Sequence, residues 1–163
     1  MKLRRFEIGD EPALYKVYHS AIHLIGSRYY TPEQVQAWAP DVIDPDHWQR
    51  RMRDLKPLVL EKGGEVLGYA DLQPTGYIDH FFVSGRHQGS GIGTALMRRI
   101  HQEAAAMDIP ALSSDVSLAA EGFFMRHGFA VKERREVRVR GVLLANAAMR
   151  KELRDLAIRL ATP

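Results

Sequence analysis

The chain has 163 residues, which suits one compact domain, because cores divide only above roughly 250 residues. With 45% hydrophobic and 26% charged residues it is neither disordered nor collagen-like. Zero cysteines exclude disulfides, thiolate metal sites and a cysteine nucleophile, and a net charge of +3 gives nucleic acid no footing unless it is gathered into one patch.

In chain order, Lys2 to Ile8 alternates weakly and predicts a first strand, with Asp10 placed to cap the next helix. Leu14, Val17, Tyr18, Ala21, Ile22 and Ile25 recur at helical spacing and predict an amphipathic helix over 11–25. Thr31 caps a short helix that carries Val35 and Trp38 and stops before Pro40; Asp46 is placed to cap another that bears Trp48, Met52 and Leu55. Three strand-like runs follow, Leu58–Glu61, Val66–Leu72 and Tyr77–Val83, the first two joined at Gly63-Gly64. Residues 91–107 predict the clearest helix, with Ile92, Leu96, Ile100 and Ala104 in its core stripe. Pro110–Asp115 reads as a strand, Ser117 as the cap of a helix reaching about His127, and Phe129–Arg140 with Val142–Met149 as two long strands about Gly141. Residues 150–160 predict a last short helix on Leu153, Leu156 and Leu160. This is an α/β chain with a mixed, mostly antiparallel sheet flanked by helices, organised as one domain over 1–150 and a tail over 151–163. No apolar stretch approaches the ~18 residues of a membrane span, and the start lacks a secretory apolar region, so a cytoplasmic location is expected.

The segment Gln88-Gly89-Ser90-Gly91-Ile92-Gly93-Thr94 lies between an apolar strand and the strongest helix. Backbone N–H groups at such a junction bind anions, and glycines let the main chain approach a phosphate. A glycine-rich connector that merely turns the chain would look alike. A phosphate loop of the Walker type needs a Lys before Ser or Thr, which Thr94-Ala95 does not supply. A dinucleotide fingerprint counted from Gly89 meets Thr94 where its last glycine belongs.

The loop resembles the Gln/Arg-x-x-Gly-x-Gly/Ala signature of the GCN5-related N-acetyltransferases, the GNAT superfamily. Phe81-Phe82-Val83 resembles that family's fourth strand, and Ser117-x-x-Ala120-x-x-Phe123-Phe124 followed by Gly128-Phe129 is similar to its second signature. Tyr30 to Pro40, with Val139-Arg140-Gly141-Val142, Asn146 and Met149, resembles a bacterial subgroup. The resemblance implies splayed fourth and fifth strands, acetyl-CoA as acetyl donor, and direct transfer to an amine of a small molecule or peptide. It assigns cofactor contacts to Gln88, Gly89, Ser90, Gly91, Ile92, Gly93 and Thr94, to the backbone of Phe81, Phe82 and Val83, and to Ser117 and Phe124. Phe124 stands where the family usually has a proton-donating Tyr.

Asp79 shares strand parity with Tyr77, Phe81 and Val83 and is the candidate base or amine anchor; the Phe82 amide is the candidate oxyanion donor. His80 points the other way and reads as a core histidine. His23, Tyr29, Tyr30, Trp38 and Tyr77 are the candidate acceptor contacts, with Arg28 an exposed cation beside them. The histidines show no metal spacing, so no metal is expected. Two other readings stand beside the enzyme. The lost Tyr at Phe124 fits a non-catalytic acetyl-CoA sensor, and Arg134, Arg135, Arg138 and Arg140 fit a nucleic-acid strand only if they are more than a solvated face. The long last strands and apolar tail leave a homodimer open.

Overall fold

The structure is a computed structural model and describes residues 1–154. Strands β1 (Lys2–Arg5), β2 (Leu58–Lys62), β3 (Glu65–Ala70) and β5 (Phe81–Val83) form an antiparallel sheet in the order β1-β2-β3-β5. Strands β4 (Tyr77–Ile78), β6 (Ala111–Ser117), β8 (Val142–Glu152) and β7 (Ala130–Val139) form a second sheet in the order β4-β6-β8-β7. Among the described residues, only β4 and β6 run parallel.

Helix α4 (Ile92–Ala106) carries Ile92, Leu96, Ile100 and Ala104, all at most 1% exposed, into the main core against β2, β3, β6 and β8, with Phe124 of α5 (Glu121–Arg126). Gly68 permits the close approach, because a Cβ there would stand 2.8 Å from Ile92 and 3.1 Å from the Phe82 carbonyl oxygen. On the other sheet face, Leu14 and Val17 of α1 (Glu11–Ser20) and Met52 of α3 (Pro45–Leu55) pack on Val59 and Tyr69. A third cluster joins Ile22, Tyr30, Val35 of α2 (Pro32–Trp38), Ala39 and Leu144. No helix among the described residues is long and apolar enough to cross a membrane.

Several sequence expectations change here. The 11–25 helix is α1 followed by a π-helical turn, Ala21–Ile25, and a 3₁₀ turn, Gly26–Arg28. Asp10 does not cap α1, because Arg4 holds its carboxylate at 2.8 and 2.9 Å. Asp44, not Asp46, caps α3, accepting from the Asp46 N–H at 3.0 Å. The tail helix predicted from residue 150 gives way at its start to β8, which runs through Glu152; Leu156 and Leu160 lie outside the described residues.

The expected single strand Tyr77–Val83 is broken. Ile78 still pairs with β6, whereas Phe81 pairs with Ala70 of β3. Between them the N–H groups of Asp79 and His80 both donate to one carboxylate oxygen of Asp71, at 3.0 and 2.6 Å. Asp71 is 1% exposed, and Gln73 Nε2 donates to its other oxygen at 2.5 Å. A buried carboxylate therefore takes up the two amides that the ladder loses at the break. The chain crosses here from one sheet to the other, and beyond this point the sheets part, which is the splay the resemblance implied.

Candidate functional site

A cleft of about 640 Å³ opens where the two sheets separate, bounded by β5, the glycine loop, the Ser117–Ala120 turn, the turns after α1 and Trp38 at the end of α2. Gly89 and Gly91 hold left-handed φ angles of 75° and 84°, with nothing within 4 Å of where a Cβ would sit. Gly91 is the N-cap of α4 and has no side-chain cap bond, and the first helical hydrogen bond runs from the Ala95 N–H to the Gly91 oxygen at 3.0 Å. The N–H groups of Ile92, Gly93 and Thr94 thus lack intrahelical acceptors and sit at the positive end of a 15-residue helix. Gly93 lies close under Phe123, whose ring atoms would be 3.1 Å from an added Cβ. Gln88, Gly89, Gly91, Ile92, Gly93 and Thr94 line the cleft. Gln88 also ties the loop to β5, donating to the Val83 oxygen at 3.0 Å. Ser90 turns its hydroxyl back onto the His87 oxygen.

The register of β5 decides which of its backbone groups face this cleft. Ser84 N–H donates to Leu67 O at 2.8 Å and Asp71 N–H to His80 O at 3.1 Å, so the even-numbered residues make the ladder bonds to β3. Alternation puts Phe82, opposite Tyr69, in the same hydrogen-bonded class. The Phe82 amide is therefore spent within the sheet, which corrects the expectation that it is the oxyanion donor. The N–H groups of Phe81 and Val83 point to the open edge instead.

Other expected site residues divide. Trp38 and Tyr29 line the cleft, and Ser117 lies on its wall, its Oγ accepting from Ala120 N–H at 3.2 Å rather than capping α5. Phe124 is a correction: it is 2% exposed and packed against Phe81, Phe123 and Phe129, while its neighbour Phe123 lines the cleft. Tyr30 is another. Its hydroxyl donates to Ala145 O at 2.6 Å and accepts from Leu118 N–H at 2.9 Å, so it is a strut. Tyr77 bonds Asp115 at 3.0 Å and borders neither cavity. Asp79 is ion-paired with Arg51 of α3, which occupies the carboxylate expected to act as a base.

His23 hydrogen-bonds Ala39 O at 2.7 Å and stacks on His19 at 3.8 Å, and His19 in turn meets Asp41 at 2.7 Å. His19, His23 and Asp41 thus come close enough to hold a metal ion, a spacing of four on one helix that the sequence reading passed over. The Nε2 of each ring already has a protein partner, and the trio works as a clasp between the α1 end with its π-helical turn and the chain after α2. Each arginine of the Arg134–Arg140 face has at least one protein partner. Arg134 pairs with Glu121, Arg135 with Glu133 and Asp115, and Arg138 and Arg140 donate to Gly141 O and Ala37 O. That is a solvated strand face rather than a stripe awaiting phosphates.

A second cavity of about 290 Å³ lies on the α1 and α3 side of β5 and shares Trp38 with the first. Its walls include Tyr15, Tyr18, Trp48 and His80. His80 Nδ1 lies 2.9 Å from the Tyr69 hydroxyl. That hydroxyl is buried, so donating its proton to Nδ1 satisfies it and leaves the N–H of His80 on Nε2. Burial, aided by Arg51, pushes the His80 pKa down to about 3, so the ring is neutral. His80 is thus more than the core residue expected from sequence. Asn146, beside Ser117 in the β6–β8 pairing, has a buried Oδ1 with no partner among the described residues.

Comparison with known proteins gives one answer. A family model described as the acetyltransferase (GNAT) domain matches residues 27–153. The chain is 26% identical over 150 residues to the uncharacterized N-acetyltransferase YafP of Escherichia coli K12, covering 92% of this chain and 95% of YafP. It matches the crystal structure of a GCN5-related N-acetyltransferase from Rhodopseudomonas palustris with a TM-score of 0.88 and 28% identity, over 93% of this chain and 95% of that one. It matches YncA from Salmonella typhimurium, solved with its cofactor acetyl-CoA, with a TM-score of 0.66 and 23% identity over 95% of each chain.

Proposed function

This chain belongs to the GNAT acetyltransferase family, and on that premise we propose that it transfers the acetyl group of acetyl-CoA directly to the amine of a small molecule or peptide in the cytoplasm. The observation that carries the reading is the run of unpaired amides on one cleft: Ile92, Gly93 and Thr94 at the α4 N-terminus, and Phe81 and Val83 along the open edge of β5. The donor supplies an activated thioester. Its phosphates match the α4 amides, where the left-handed glycines let the backbone approach, and YncA, a protein of the same fold solved with acetyl-CoA, supports the match.

The free edge of β5 is suited to pair with an extended amide-bearing arm as an added strand. The Phe81 N–H, close to the break at Asp79–His80, is then the donor for an oxyanion formed when an amine adds to the acyl carbon. With Asp79 paired to Arg51 and Phe124 buried without a proton to give, the amine proton leaves through water in the open cleft. The thiolate of CoA departs and takes a proton from the same solvent.

Two measurements test this. Titration calorimetry should give saturable CoA binding that weakens when Gly91 is replaced, and thiol release should rise above spontaneous hydrolysis with an amine panel. Absence of binding at millimolar CoA sinks the reading, and binding without amine-dependent thiol release leaves the sensor.

A further inference from the structure

We propose that the second cavity receives the acceptor, and that this acceptor is an amine carrying a flat ring and a carboxylate; the proposal rests on the acetyltransferase reading above. The cavity holds about 290 Å³, roughly twice the 150 Å³ that encloses a benzene ring, so a bicyclic ring system fits. Its walls are largely ring faces. Trp48 meets Tyr15 edge-on at 4.9 Å and Tyr18 at 5.1 Å, and Tyr18 stacks on His80 at 5.7 Å. Such walls favour a flat apolar body.

An aromatic box can also hold a cation. The charges at this cavity argue against that use. Arg51 is neutralised by Asp79, and the Asp44 carboxylate, which keeps its charge, is turned to the head of α3, where it accepts from Asp46 N–H and meets the positive end of that helix. Arg140 remains. It borders the cavity, donates to the Ala37 carbonyl at 2.8 Å, and has no acidic side chain within 4.0 Å among the described residues. It stands at the turn before Gly141 with φ 45°, a conformation that fixes where its side chain starts. A guanidinium with donors to spare at the rim of an aromatic cavity recognises a carboxylate. His80 Nε2–H adds a neutral donor on the same wall.

The two cavities share Trp38 as a lining residue, and the Phe82 ring contacts both Trp38 and His80. On this proposal a ring seated in the second cavity extends its amine along Trp38 toward the edge of β5.

The test uses the full-length protein saturated with CoA. N-acetyl-L-tryptophan and N-acetyltryptamine serve as product probes in calorimetry, and L-tryptophan, tryptamine and spermidine as acceptors in thiol release. The carboxylate-bearing member of each pair should bind, or turn over, at least tenfold better than its decarboxylated counterpart, with spermidine poorest. Arg140→Gln should erase that ratio without changing CoA affinity, and Arg140→Lys should restore part of it. Equal binding of the two probes, a preference for tryptamine or spermidine, or an unchanged ratio in Arg140→Gln overturns the proposal. Failure of CoA to bind overturns the acetyltransferase reading instead, and is read in a separate titration.

Discussion

Replacing Asp71 by Ala removes the oxygen on which the split of the sheets depends. The carboxylate accepts from Asp79 N–H at 3.0 Å, His80 N–H at 2.6 Å and Gln73 Nε2 at 2.5 Å, and is 1% exposed. Hydrogen bonds to a charged group are worth about 1.5–3 kcal/mol each, so losing the two that hold the backbone amides costs about 3–6 kcal/mol. Burial raises the Asp71 pKa, which means desolvation outweighs the help its partners give the charged form. Ala escapes that desolvation, which returns about 1–2 kcal/mol and leaves a net loss of roughly 1–5 kcal/mol. Asp71→Asn keeps an oxygen for both amides and should lose only about 1 kcal/mol. Urea unfolding, followed by the fluorescence of Trp38 and Trp48, measures both. At temperatures where Asp71→Ala remains folded, CoA should bind at least tenfold more weakly, because the break that opens β5 is no longer held. Stability within 0.5 kcal/mol of the parent together with unchanged CoA affinity would refute the role given to this residue.

Gly91→Val places a β-branched residue at φ 84°; it should cost about 1–2 kcal/mol and weaken CoA binding at least tenfold by calorimetry, although no neighbour lies within 4 Å of the new Cβ. His80 is neutral in the fold down to about pH 3, whereas the unfolded chain takes up that proton near 6.5. Its contribution to stability is therefore present above 6.5 and is lost as pH falls from there toward 3. Between pH 7 and pH 4 this amounts to roughly 2–4 kcal/mol, and urea midpoints at those two pH values should differ less in His80→Gln than in the parent. Tyr30→Phe leaves Ala145 O and Leu118 N–H without partners, so it should lose about 1–3 kcal/mol in unfolding while kcat stays within twofold. Phe124→Tyr buries a hydroxyl among three aromatic rings; thermal melts should show a loss of about 1–3 kcal/mol, and thiol release should show no gain in rate.

Local signals were legible in the sequence. The glycine loop, the α4 stripe and the capping box of α2, where Thr31 and Gln34 exchange bonds, all depend on neighbours within a few residues. What escaped depends on partners far apart in the chain. Nothing near Asp71 announces that it will gather the amides of residues eight and nine positions on. The Tyr77–Val83 run is apolar enough to read as one strand. The oxyanion donor expected at Phe82 fails for a related reason: sequence fixes which side chains share a face but not which amides face β3, and the register with Tyr69 settles that. Tyr30 reads as a pocket residue until Ala145, 115 positions away, accepts its hydroxyl's hydrogen bond.

The three residues of β5 make a two-sided ribbon with a separate task on each side. Phe81 and Val83 pack toward α4 and α5, in the core that backs the glycine loop, whereas Phe82, with His80 just before it, turns toward α1, α2 and α3. A drift of sequence at the even positions and in the helices above them can thus remodel one cavity while leaving the amide cradle intact. The fold uncouples the inheritance of a constant donor from that of a variable acceptor, residue by alternate residue.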